Sequence, residues 1–327
     1  MIAPPLRRWG GIFAALALCA CSQPPTALPK GPMAAGPHVT VTAEAVPLNT
    51  KDPAQDRLGN FAYAGGLALT SNDTARLHGL SDLKVLAGNR IVSESDEGDL
   101  LEARLMLDAK GRLTGLADAR MSVLHGPDGE PLQGKNESDA EGIAVLPDGD
   151  RLVSFEEDDR ILLYPAKGGA PHVVNSPNVV FRHNLGMEAL AADPSIAPDA
   201  YRVGQEDTGQ TWICRLSAPC VADRKIDVPL GSGLTAMAPL PQGRIAYLIR
   251  AWDPWRGSRV TLLVLDAQGA QVDRAEFAPP LTVDNFEGLG AVAKASGQVR
   301  FYLISDDNFS AKQRTLLLAL DWTPPAR

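Results

Sequence analysis

The sequence predicts an all-β fold, a β-propeller of five to six four-stranded blades with six preferred, closed by pairing of its N- and C-terminal strands. Two observations carry this. Short runs rich in Val, Ile, Leu, Tyr and Phe alternate with Gly, Pro, Asn and Asp turns, as at residues 151–155, 160–164, 244–249, 259–265, 299–304 and 315–320. A phrase also returns about every 50 residues, a blade-like period that sandwiches do not show. Its full copies are Asp139-Ala140-Glu141-Gly142-Ile143, Gly186-Met187-Glu188-Ala189-Leu190 and Asn285-Phe286-Glu287-Gly288-Leu289. His78-Gly79-Leu80-Ser81-Asp82-Leu83 and Gly233-Leu234-Thr235-Ala236-Met237 are degenerate copies.

In chain order, the first element is a leader. Arg7 and Arg8 precede an apolar run, Gly10 to Ala20, too short for a membrane span of about 20 residues but long enough for a signal-peptide core. It ends in Leu18-Cys19-Ala20-Cys21, so residues 1–20 are expected to be a lipoprotein signal with Cys21 acylated, or else an ordinary signal cut nearby. Residues 21–38 hold five prolines among small residues and form a tether with no core of its own. The folded domain spans 39–327. Within it, 61–69 together with 39–48 supplies either a sixth blade or the outer strand of the last one. Each copy of the phrase is followed by a turn and a second strand ending in polar residues: Ser93-Glu94-Ser95-Asp96, Ser154-Phe155-Glu156, Gly204-Gln205-Glu206-Asp207, Leu248-Ile249-Arg250 and Ile304-Ser305-Asp306-Asp307.

The formal net charge is −8 and becomes more negative by two once Arg7 and Arg8 are removed, which argues against a nucleic-acid partner. The chain is expected to be a monomer, to meet the membrane only through its lipid, and to sit on the periplasmic side of the outer membrane. Cys214 and Cys220, close in sequence and in an oxidising compartment, are expected to pair.

Several of these phrases carry a family resemblance. They are Gly65-Gly66-Leu67-Ala68-Leu69-Thr70-Ser71, His78-Gly79-Leu80-Ser81, Ser138-Asp139-Ala140-Glu141-Gly142-Ile143, Val153-Ser154-Phe155-Glu156 with Arg160-Ile161, and Asn184-Leu185-Gly186-Met187-Glu188-Ala189-Leu190. The most specific are Asp284-Asn285-Phe286-Glu287-Gly288-Leu289 and Ser305-Asp306-Asp307-Asn308-Phe309-Ser310 with Gln313-Arg314-Thr315. Together they resemble the propeller family named for the esterase-like activity of phytase, from about Phe61 to Trp322. The resemblance implies the fold and, through the family name, hydrolysis of a phosphoester or ester. Two positions depart from the pattern: Asp82 stands where a small or apolar residue is expected, and Arg250 lacks the acid that often precedes it.

Equivalent positions of a circular repeat form a ring, so the repeated Glu residues should converge at the channel mouth. Asp139, Glu141, Glu188, Glu287 and Asp306 are the candidate metal ligands, with Asp96 and Glu206 beside them. Clustered carboxylates need a proton, an Arg or a metal to offset their repulsion, and an oxygen-only set suits Ca²⁺, with Mg²⁺ a poorer match. Asp96, Arg160 and Arg250 are the candidate catalytic residues, and Arg314 is a further phosphate clamp, because a guanidinium fork matches phosphate geometry. The structural alternative is that each acid accepts backbone N–H groups of the neighbouring blade. His78 and His183 read as surface or core histidines, Glu156 to Asp159 as a solvated hairpin, and Trp252 and Trp255 either as ligand-stacking rings or as loop packing. No Gly-x-Ser-x-Gly elbow supports a serine nucleophile. Two functions follow: a metal-assisted phosphoester or ester hydrolase acting on a small molecule, or a non-catalytic propeller that binds a ligand or protein at its rim.

Overall fold

Short, largely apolar runs of five to nine residues are buried at consecutive positions, so each sheet has two faces to cover, and five sheets packed face to face in a ring cover them. The structure, a computed structural model, describes residues 38–325. The expected leader, Cys21 and nearly all of the expected tether therefore lie outside the described residues.

Blade I comprises Leu80–Leu86, Arg90–Ser95, Asp99–Leu107 and Leu113–Val123. Blade II comprises Ala140–Val145, Arg151–Phe155, Arg160–Tyr164 and the short His172–Val173. Blade III is Ala189–Ala192, Ala200–Gly204, Gln210–Arg215 and Ala218–Lys225, and blade IV is Ser232–Pro239, Ile245–Asp253, Gly257–Leu265 and Gln271–Phe277. Blade V takes Asn285–Ala293, Val299–Asp306 and Leu316–Trp322 from the C-terminal end of the chain, and its fourth strand, Phe61–Ser71, from the N-terminal side. The first strands of the five blades touch in a closed cycle around the axis.

The preference for six blades is thus corrected to five. Phe61–Ser71 pairs antiparallel with Leu316–Trp322, Trp322 opposite Phe61 and Leu317 opposite Leu67, and Val41–Ala45 adds outside it. The outer edge of Leu316–Trp322 would otherwise be unpaired, so the N-terminal strands complete blade V instead of founding another. Phe61, Phe301 and Trp322 pack behind this seam with ring centroids 6.1–6.2 Å apart. The expected disulfide is present, joining Cys214 and Cys220 across the Gln210–Arg215 and Ala218–Lys225 hairpin.

Close approach of the inner strands explains the small residue after the repeated Glu. A Cβ on Gly142 would lie 2.4 Å from the Glu188 carbonyl oxygen, and one on Gly288 would lie 2.7 Å from Asp82 Cα. Asp82, the departure noted above, is fully buried and fastens three blades. Its Oδ1 accepts from Leu83 N (2.7 Å) and from Leu289 N of blade V (3.1 Å), and its Oδ2 accepts from Ile143 N of blade II (3.2 Å) and from Lys84 Nζ. The inter-blade acceptor role weighed for the repeated acids is filled here by Asp82.

Candidate functional site

The register of the inner hairpins builds the site. Ala140 lies opposite Phe155, Ala189 opposite Gly204 and Asn285 opposite Asp306, so the start of each first strand is level with the end of its second strand on one rim. In blades II and V the ladder slips by one residue at Glu141 and at Glu287. The same slip falls at Ser81 in blade I and Thr235 in blade IV. A bulge bends the strand and re-aims the extra residue. The ring position is therefore a bulged residue in four blades, Glu in two of them, and Glu188 stands at the same level just before the blade III strand.

Two acidic triads result. One carboxylate oxygen each from Asp139, Glu141 and Glu156 lie within 4.8 Å of one another, and so do one each from Glu156, Glu188 and Glu206. Glu156 belongs to both. It is 2% exposed and accepts from Gly186 N, so it is no solvated hairpin residue; the signal was its place at the end of a second strand, which Glu206 and Asp306 share. Asp139 is also fully buried, and its Oδ2 has no hydrogen-bond partner.

Two cations border the triads. Lys135 Nζ meets Asp96 Oδ2 at 3.1 Å and also Asp139 Oδ1. Arg250, on blade IV, links its two neighbouring blades: Nη2 lies 3.1 Å from Glu206 Oε1 and 3.9 Å from Glu188 Oε1 of blade III, and Nε lies 3.1 Å from Glu287 Oε1 of blade V. Asn285 Nδ2 donates to Glu287 Oε1 (2.9 Å) and Asp306 Oδ2 (3.3 Å). Burial, and then the neighbouring carboxylates, push Glu141, Glu188 and Asp306 well above the usual carboxylate range. Burial likewise lifts Glu156 and Glu287 to about 7 and Asp96 to about 6, even though Arg250 opposes the rise at Glu287 and Lys135 opposes it at Asp96. Burial disfavours the charged forms of Arg250 and Lys135, but the surrounding carboxylates outweigh it and raise both.

The structure brings most of the expected residues together. Asp139, Glu141 and Glu188 fall in the triads, while Glu287 and Asp306 form the adjoining pair on blade V and Asp96 adjoins through Lys135. Arg160 stands apart: its Nη1 and Nη2 donate to the carbonyls of Asp158 (2.9 Å) and Glu137 (2.6 Å), and its guanidinium lies 4.3 Å over the Phe155 ring. Arg314 is half-exposed and contacts Asp284. His78 Nδ1 is 2.6 Å from Asp307 Oδ2 at the seam of blades I and V, and His183 is exposed beside Glu157. Lys135 and Glu156 were not foreseen as site residues; Lys135 sits on a four-residue helix before Asp139, with no sequence motif to mark it. A cleft on the opposite rim, lined by Leu86, Arg90, Leu146, Arg151 and Tyr164, contains none of these carboxylates.

The oxygen-only donors, the shared carboxylate and the orphaned Asp139 Oδ2 fit a hard divalent cation. Among solved structures the chain is similar to a putative gluconolactonase at 14% identity and TM-score 0.47, covering 89% of this chain and 98% of that one. It is also similar to a calcium-binding protein, regucalcin, from Agrobacterium tumefaciens C58 at 12% identity and TM-score 0.45, covering 90% and 94%. A third is virginiamycin B lyase from Staphylococcus aureus, at 11% identity and TM-score 0.40, covering 88% and 90%. No curated protein matches the chain. The model of the phytase-like family, "esterase-like activity of phytase", matches residues 75–309, and with its motifs on the ring of a propeller the chain belongs to that family.

Proposed function

We propose that the protein is a divalent-cation-dependent hydrolase of phosphoesters or esters, with Ca²⁺ preferred over Mg²⁺. The observation that carries the reading is the pair of buried triads joined at Glu156 with Arg250 beside them. A cation held by Asp139, Glu141 and Glu156, or by Glu156, Glu188 and Glu206, would supply charge neutralisation and polarisation of a substrate oxygen. Arg250, clasped by Glu188, Glu206 and Glu287, presents a guanidinium edge to a phosphoryl or acyl oxygen. Glu287 lies outside both triads, and a carboxylate lifted to about 7 suits proton transfer at neutral pH, so its Oε2 is the acceptor for a water proton. The water oxygen forms the new bond to phosphorus or acyl carbon. The bond to the alcohol oxygen breaks, and the proton passes to that oxygen.

We also infer that the chain works from the periplasmic face of the outer membrane, anchored at Cys21, as a monomer. The support is the leader sequence and the tether. One observation favours the non-catalytic reading: Lys135 and Arg250 already offset part of the negative charge, which lets the ring stand as structure. Assay of the purified protein on phytate, aryl phosphates and aryl esters, with Ca²⁺ and with chelator, decides between them. Ca²⁺-dependent turnover that falls at least a hundredfold in Arg250→Met supports hydrolysis. Turnover indifferent to chelator, or absent on every substrate, overturns it.

A further inference from the structure

Apolar side chains gather on the rim that carries the carboxylates. Among the described large hydrophobic residues, those more than nine-tenths exposed are Val180 (98%), Leu230 (106%) and Trp255 (93%). Leu230 lies in the connection from Lys225, level with Gln210 at the rim end of blade III, to Ser232, which pairs with Ala251. Trp255 lies in the hairpin loop after Ile245–Asp253, level with that same start. Val180 precedes Arg182 and His183, which pair with Asp207 and Glu157 in the rim hairpins of blades III and II. All three loops thus belong to the acidic rim, on the sector from blade II to blade IV that holds the Glu156, Glu188 and Glu206 triad.

One further apolar residue joins this rim to the polar site along a single strand. Arg250 and Trp252 are two residues apart in Ile245–Asp253, so their side chains leave the same face, Trp252 one rung nearer the rim. Trp252 is 48% exposed. A ligand oxygen at Arg250 would place its neighbouring atoms along Trp252 and then toward Trp255 and Leu230. Isolated apolar residues on a surface need no explanation, but an arc at the lip of a charged cleft marks a ligand with an apolar part.

We propose, resting on the hydrolase reading above, that the substrate is an amphiphile: an ester or phosphoester whose polar head enters the acidic channel while an alkyl, acyl or aryl group lies across Trp252, Trp255, Leu230 and Val180. The continuity of Arg250 and Trp252 favours this occupant over a membrane surface, which would need no cleft beside it.

The test is a binding measurement, independent of turnover. Ethyl phosphate and decyl phosphate, the latter below its micelle concentration, are titrated with Ca²⁺ present into the wild type and a Trp255→Ser, Leu230→Ser double variant, followed by calorimetry. Burying part of the added chain at the rim should make decyl phosphate bind roughly tenfold or more tightly than ethyl phosphate. In the double variant that ratio should fall toward one. A wild-type ratio near one overturns the inference and leaves the hydrolase reading to its own assay. A high ratio that collapses in the variant, in a protein that turns over no ester, upholds amphiphile binding and defeats the hydrolase reading. Equal affinities for the two phosphates, with phospholipid vesicles bound by the wild type and not by the variant, overturn the inference in favour of a membrane contact.

Discussion

Replacing Glu156 by Gln isolates the charge conflict at the centre of the site. Gln keeps the Oε1 that accepts from Gly186 N, removes the charge and turns the second oxygen into an NH2 donor. Burial and its acidic neighbours raise the Glu156 carboxyl from 4.5 to about 7. Because the folded-state value is raised, its contribution to stability is complete below the unfolded value of 4.5 and is lost as pH rises through 7. Fully ionised and without metal at pH 8, the side chain costs the folded state about 3 kcal/mol. Metal-free Glu156→Gln should therefore be more stable than wild type by up to about 3 kcal/mol at pH 8, and equal to it at pH 4. In a domain of this size that corresponds to a melting point higher by roughly 6–12 °C at pH 8. Ca²⁺ should reverse the order: a site filled at a hundred times its Kd adds about 3 kcal/mol to the wild type, and the variant, lacking the shared ligand, should gain little. The assay is calorimetric melting with chelator and with Ca²⁺ at both pH values. Identical metal-free melting at pH 8, or a gap that persists unchanged at pH 4, would refute the reasoning.

Two further outcomes concern the scaffold. Asp82→Ala removes the acceptor of the Leu289 and Ile143 N–H groups at the blade seams and the carboxylate that pairs with Lys84, so urea denaturation should show a loss of about 3–5 kcal/mol; a loss under about 1 kcal/mol would mean the seams do not depend on it. The Cys214–Cys220 bridge closes a short loop with a sequence separation of 6. Reducing it should cost only about 2 kcal/mol, leaving a folded protein in circular dichroism, and unfolding on reduction would contradict that.

Much of this was legible in the sequence. Strand positions followed from short β-rich runs bounded by turn residues, so that residues 151–155 and 160–164 were predicted with the bounds observed. Repetition placed Glu141, Glu188 and Glu287 on one ring, because a propeller maps repeats onto equivalent angles, and the spacing of Cys214 and Cys220 disclosed their bridge. Other features needed the fold. The blade count depended on whether Phe61–Ser71 met Leu316–Trp322, a contact spanning nearly the whole chain that local pattern does not encode. Asp82 looked like a misfit until its partners in blades II and V were in place. Glu156 and Arg160 lie four residues apart in one hairpin, yet one is the shared corner of both triads and the other is held by the Asp158 and Glu137 carbonyls. Residue type and period determine which groups can meet. Which carboxylates lose water, and which cations come to face them, is decided only when five blades close on a common axis and the channel excludes solvent from one side of each strand.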